Sequence, residues 1–175
     1  MYPIYKSTYE RFDNYQYYRA DVRQSAYRDR VITWSKELGR ALDYLEVRPD
    51  IDSEKICYAG SSWGAAISPM LLAMEKRFKA SYLILGGFWL WESSGEVDQI
   101  NFAPRVTIPV LMINGRYDYI FPYETSQIPM FQAFGTQDEY KRHRLFDEGH
   151  SYPRQRNEFI REVLDWLDTY LGPVQ

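Results

Sequence analysis

Gly60-x-Ser62-x-Gly64 offers a hydroxyl flanked at two residues on each side by glycine. A serine between a strand and a helix, on a sharp turn, has its hydroxyl lifted above the sheet, and small flanking residues let neighbouring backbone come close. The pattern alone is weak, since at ordinary Gly and Ser frequencies it arises in roughly 5% of chains this long. A serine hydroxyl becomes a nucleophile only when a base takes its proton, and that base needs a third group to orient it. The sequence has two histidines, His143 and His150. His143 opens a predicted short strand, 142–146, where a ring packs or points to solvent. His150 follows the end of that strand and is the candidate base. Asp118, after Asn114 and Gly115, is the candidate acid. Asp147 and Glu148 stand too close to His150 to reach behind an imidazole that faces Ser62, and they read as a solvated acidic turn.

These residues must be positioned by strands and helices. Val31, Trp34, Leu38, Ala41, Leu42 and Leu45 recur at helical spacing and predict an amphipathic helix over 27–47, stopped by Pro49. Residues 55–59 form a short apolar run, predicted as a strand, that leads directly into Gly60. A buried helix follows over 65–78, with Pro69 expected to disturb its first turns. Further strands are predicted over 80–85, 109–113 and 142–146, with irregular chain over 88–106. Helices are expected over 123–134, interrupted at Pro129, and over 158–171 through Phe159, Val163, Leu164, Leu167 and Leu171. Strands alternating with helices imply βαβ units, a parallel sheet, and ligands at the carboxyl ends of its strands. Ser62, Asp118 and His150 all fall at such ends.

The chain has 175 residues, 45% hydrophobic and 26% charged, with no repeat, linker or low-complexity tract. That balance excludes a disordered tail, a rod or a multidomain assembly and predicts one domain, 1–175, with 1–25 irregular and tyrosine-rich. The net charge of −3, from 21 Lys and Arg against 24 Asp and Glu, comes with no basic block. A nucleic-acid or anionic-membrane binder needs a basic face, so neither partner is expected. The single cysteine, Cys57, excludes an intrachain disulfide and a cysteine-rich metal site, and its apolar surroundings predict an inert thiol. No apolar stretch reaches the length of a membrane span, and the N-terminus lacks a signal-peptide pattern, so a cytoplasmic location is expected. Six of the 16 tyrosines fall in the first twenty residues: Tyr2, Tyr5, Tyr9, Tyr15, Tyr17 and Tyr18. They suit either an interface or an extended segment packed along a surface. Nucleotide binding at 60–64 is disfavoured, because the loop has neither a phosphate-binding lysine nor a third glycine at the needed spacing.

The order Ser62, Asp118, His150 is that of the α/β-hydrolase arrangement. The sequence also resembles that superfamily, and within it the bacterial dienelactone-hydrolase-like and prolyl-oligopeptidase-like esterases. The matching stretches are 5–11, 60–64, 101–105, 114–118 and 149–151, within a likeness running from about residue 3 to 173. The resemblance implies a truncated α/β-hydrolase fold of about four parallel strands with flanking helices. It implies Ser62 as nucleophile, His150 as base, Asp118 as acid, and the Trp63 backbone N–H as one oxyanion donor. It also implies a carboxylesterase for small acyl or aromatic esters, with peptides less favoured and no metal or organic cofactor. Trp89, Trp91, Tyr117, Tyr119 and Phe121 flank the strand ends and are candidates for an acyl pocket.

Members of the family usually carry a further half before these residues, with the first strands of the sheet and the loop giving the second oxyanion donor. Losing one such donor costs roughly 10²–10³ in kcat. The strand before Gly60 is then expected to have an open apolar edge, covered by the tyrosine-rich segment or by a second copy of the chain. A homodimer or higher homo-oligomer is the expectation. The alternative to an esterase is a weak or inactive hydrolase remnant that serves as an oligomerising module.

Overall fold

The computed structural model describes residues 1–13 and 25–173. Tyr15, Tyr17 and Tyr18 lie outside them. Four strands, β1 (Cys57–Ser61), β2 (Ala80–Ile84), β3 (Val110–Gly115) and β4 (Lys141–Phe146), form one sheet in the order β1-β2-β3-β4. All three pairings are parallel. The helices are α1 (Ser25–Glu46), α2 (Trp63–Ala66), α3 (Ser68–Met74), α4 (Gln99–Phe102), α5 (Ile128–Ala133) and α6 (Arg156–Leu171).

A parallel sheet must be covered on both faces, and the side-chain alternation of β3 shows how that is met. Val110 and Met112 join a large core with Leu83 and Tyr58, closed by Trp34, Leu38 and Leu42 of α1 and by Met70 and Leu71 of α3. Leu111 and Ile113 point the other way, into a smaller cluster with Phe146 and Trp166. The buried stripe of α6 runs through Phe159, Val163, Trp166 and Tyr170. This corrects the expected stripe, because Leu164 is exposed while Trp166 is buried and donates its indole N–H to Ser81 O at 3.1 Å. The indole has both a large apolar face and a donor that a buried carbonyl can use.

The prolines start helices instead of breaking them. The helix expected over 65–78 is two: α2 ends at Ile67, and Pro69 sits in the first turn of α3, where its missing N–H costs no internal bond. Pro129 likewise stands in the first turn of α5, after a π-helical turn, Tyr123–Gln127. The irregular stretch 88–106 contains α4 and a 3₁₀ turn, Ala103–Arg105. No helix among the described residues is long and apolar enough to cross a membrane.

Residues 1–13 are tied to α1 and to the start of α2. Trp34 donates its indole N–H to Lys6 O, the Lys6 N–H reaches Glu37, and the Tyr5 ring meets Trp63 edge-on. Among the described residues β1 pairs only with β2, so it forms one edge of the sheet.

Candidate active site

The strand register aligns the carboxyl ends of the sheet, and the three candidate residues follow the ends of β1, β3 and β4. Ser62 sits directly after β1 with φ 49° and ψ −108°, a conformation L-residues rarely hold. Its N–H donates to Ile84 O at 2.8 Å, which anchors the turn to β2. Gly60 is required there, since a Cβ would stand 2.8 Å from the carbonyl carbon and oxygen of Gly64. Gly64 is different: a Cβ there would meet only the Tyr58 hydroxyl, at 3.9 Å. The reading that both glycines are demanded by space holds for the first alone.

Ser62 Oγ lies 2.8 Å from His150 Nε2, and His150 Nδ1 lies 2.8 Å from Asp118 Oδ2. Asp118 is buried, and its other oxygen accepts the N–H groups of Ile120 at 2.8 Å and Phe121 at 3.0 Å. A carboxylate so placed can only accept, so Nδ1 of His150 carries the proton and Nε2 is left to accept from Ser62. The three residues named from the sequence therefore form one continuous hydrogen-bonded line.

The loops after β3 and β4, which carry Asp118 and His150, are built against each other. Arg116 N–H donates to Phe146 O and Tyr117 N–H to Glu148 O. A side chain at Gly115 would collide with the carbonyl oxygens of Glu148 and Gly149. Gln127 is fully buried, and its Nε2 donates to Gly115 O at 2.9 Å and to Phe121 O at 2.8 Å, spanning the loop that carries Asp118. Glu148 is a correction to the expected acidic turn: Asp147 is exposed, but Glu148 is buried. Tyr152 reaches from the loop after β4 to the Ser61 hydroxyl at 2.9 Å.

Four candidate rings form a row. Trp91 stacks on Trp89 at 4.9 Å, Trp89 meets Phe121 at 5.1 Å, and Phe121 meets His150 at 5.9 Å. Tyr117 and Tyr119 are instead 67% and 79% exposed, on the loop after β3. Gln99, which the sequence did not single out, positions this row, accepting the Trp89 N–H and donating to Ala66 O. Trp63, the candidate oxyanion donor, opens α2 directly after Ser62 and packs edge-on against Trp34 at 4.8 Å.

Two further side chains of reactive type, Cys57 and His143, stand outside the hydrogen-bonded line. Burial pushes the Cys57 thiol up to about 12, as an inert thiol requires. Burial also lowers His143 to about 4, and its Nε2 lies 3.2 Å from Asn114 Oδ1, whose amide nitrogen is committed to Gly86 O. His143 is thus a neutral packed ring between Phe131 and Tyr123. No group of three or more His, Cys, Asp or Glu able to hold a metal ion occurs among the described residues.

A strained serine between β1 and α2, with its partners on the loops after β3 and β4, is the arrangement of the α/β-hydrolase superfamily, and that is the fold of this chain. Solved structures agree. An esterase, cold-adapted, from an Arctic intertidal metagenomic library is 26% identical, with a TM-score of 0.64 over 82% of this chain and 59% of that one. Acetyl xylan esterase 1 from a Thermoanaerobacterium species is 15% identical, with a TM-score of 0.67 over 90% and 59%. An acylaminoacyl peptidase from Pyrococcus horikoshii is 16% identical, with a TM-score of 0.65 over 82% of this chain and 29% of the peptidase. The chain thus spans about three-fifths of the length of either esterase. No family model matches the sequence, and no curated protein does.

Proposed function

We propose that the chain is a serine hydrolase, a carboxylesterase acting on small acyl or aromatic esters. The observation that carries this is the line Ser62 Oγ, His150 Nε2, His150 Nδ1, Asp118 Oδ2, with 2.8 Å at each of its two hydrogen bonds. The likeness to an esterase at 26% identity adds to it. Ser62 Oγ attacks the ester carbonyl carbon as its proton passes to His150 Nε2. The tetrahedral oxyanion is met by the Trp63 backbone N–H. Collapse breaks the bond to the alkoxy oxygen, which leaves as the alcohol with the proton from Nε2. Water, deprotonated by Nε2, then attacks the acyl-enzyme and releases the carboxylic acid and Ser62. Asp118 holds the imidazole in the required tautomer and stabilises the imidazolium. The row Trp89, Trp91 and Phe121 supplies an apolar wall for the acyl or aryl group, with Tyr117 and Tyr119 at the outer rim.

The enzyme needs no metal or organic cofactor in this reading, and it acts in the cytoplasm on a small-molecule ester. It assembles as a homodimer through β1, whose five residues carry no charge and whose outer side pairs with no strand among the described residues. Size-exclusion chromatography with light scattering is expected to give a dimer, and a stable dilute monomer contradicts that part. The same open edge supports a second reading, a weak or inactive remnant that serves as an oligomerising module. Hydrolysis of p-nitrophenyl acetate and butyrate separates the two. The proposal expects turnover in the wild-type chain that Ser62→Ala removes, whereas equal rates overturn it.

A further inference from the structure

Between β4 and α6 the chain must leave the sheet, present His150 to both Ser62 and Asp118, and turn into a helix, all within residues 147–155. Backbone bonds hold its beginning, where Glu148 N–H donates to Phe146 O and Glu148 O accepts from Tyr117. Its far side is clasped back to its beginning by a side chain. Glu148 Oε1 accepts the backbone N–H of Arg154 at 3.2 Å, closing a ring of chain that contains His150.

The chemistry of that clasp is unusual for a stabilising contact. Glu148 is 6% exposed, and a buried carboxylate is costly unless well paired. Its ion-pair partner, the Arg154 guanidinium, is 3.3 Å away but 89% exposed, where such a pair is worth little. What the carboxylate gains in full is the backbone N–H, which fixes the span from 148 to 154. Loss of that clasp frees the segment bearing His150, whose other side-chain ties, His150 to Ser62 and Asp118 and Tyr152 to Ser61, cross the site instead of closing the loop on itself.

We propose that Glu148 is a positioning residue, holding the His150 loop so that Nε2 stays in line with Ser62; this rests on the reading of His150 as the base. Because reacting groups must be held closely, a misplacement of about an ångström costs rate on the order of 100-fold. Glu148→Ala is expected to lower kcat by roughly 10- to 100-fold with KM nearly unchanged. Glu148→Gln keeps an acceptor for the Arg154 N–H and is expected to restore most of the rate, and Arg154→Ala, which keeps that N–H, to leave it unchanged.

The experiment is steady-state hydrolysis of p-nitrophenyl butyrate by these variants, with thermal melting of each. Glu148→Asp, which shortens the side chain by one methylene, serves if the alanine variant does not fold, and is expected to lower kcat by a smaller factor. Wild-type kcat in Glu148→Ala, or in Glu148→Asp where that variant serves, with only the melting temperature lowered, overturns the proposal, as does an equal loss in Glu148→Gln. Ser62→Ala in parallel keeps the two readings apart. If it is as fast as wild type, the hydrolase reading itself fails; if turnover depends on Ser62 and Glu148→Ala is unaffected, only the positioning role is overturned.

Discussion

β4 and β1 each have a single neighbour in the described sheet, yet they are built differently. β4 reads Lys141, Arg142, His143, Arg144, Leu145, Phe146, and its cations pair with Asp138, Glu162 and Glu158. Charge of that density along a strand is how sheets blunt an edge. β1 reads Cys57, Tyr58, Ala59, Gly60, Ser61, with no charge at all, the composition of a strand with neighbours on both sides. The contrast extends to the site. The loops after β3 and β4 clasp each other through Tyr117 and Glu148, so Asp118 and His150 are held within the described residues. The serine sits at the end of the uncharged edge, held by backbone strain and by the close packing of Gly60 on Gly64. The half carrying Asp118 and His150 is thus tied together by its own loops, while the half carrying Ser62 is finished like an interior piece of a wider sheet.

The contrast can be broken from either side. The largest effect is expected from Asp118→Asn, which leaves the fold intact but offers His150 an amide in place of an acceptor pair; kcat should fall by about 10⁴. Retention of most activity would mean that the half carrying Asp118 does not set the imidazole. On β4, His143 is held neutral, with its folded value depressed to about 4 from 6.5. Its contribution is therefore fully present above about pH 6.5 and is lost as pH falls toward 4, in all roughly 3 kcal/mol. His143→Leu should flatten the fall of stability between pH 6.5 and 4, measured by urea unfolding at each pH. An unchanged slope would contradict it.

Smaller effects are expected on the Ser62 side. Gly60→Ala forces a Cβ into Gly64 backbone and should cost about 1–3 kcal/mol together with activity. Gly64→Ala makes only an ordinary contact with the Tyr58 hydroxyl at the start of α2 and should be neutral or stabilising by up to about 1 kcal/mol. Equal destabilisation by the two would remove the distinction drawn between the glycines. Least costly is Ala59→Lys, which gives exposed Ala59 the charge that β4 already carries. It should leave stability within about 0.5 kcal/mol while shifting the dimer toward monomer in light scattering. A variant dimer as tight as wild type would place the interface elsewhere.

Much of this was legible because it depends on local pattern. The four strands fall within two residues of their expected bounds, and α1 spans Ser25–Glu46 against 27–47. Ser62, Asp118 and His150 could be picked out because a parallel sheet sends its loops to one edge and only two histidines competed. What was not legible depends on neighbours far along the chain. Glu148 beside Asp147 reads as an acidic turn, and only the folded loop puts one inside and the other out. Ser126 and Gln127 are fully buried in a π-helical turn, whose five-residue spacing the 3.6-residue periodicity cannot show. Leu164 and Trp166 exchange places because the indole N–H finds Ser81 O, a partner eighty-five residues away. Tyr117 and Tyr119 follow β3 as expected, and only the folded loop shows how exposed they are.

The central claim is that Ser62 is a nucleophile activated through His150 by Asp118. The most direct measurement is labelling with a fluorophosphonate probe, followed by mass spectrometry of the digested protein. One adduct is expected, on Ser62, absent from Ser62→Ala and strongly slowed in His150→Ala. An adduct on any other residue, or labelling of Ser62 at the same rate without His150, would contradict it.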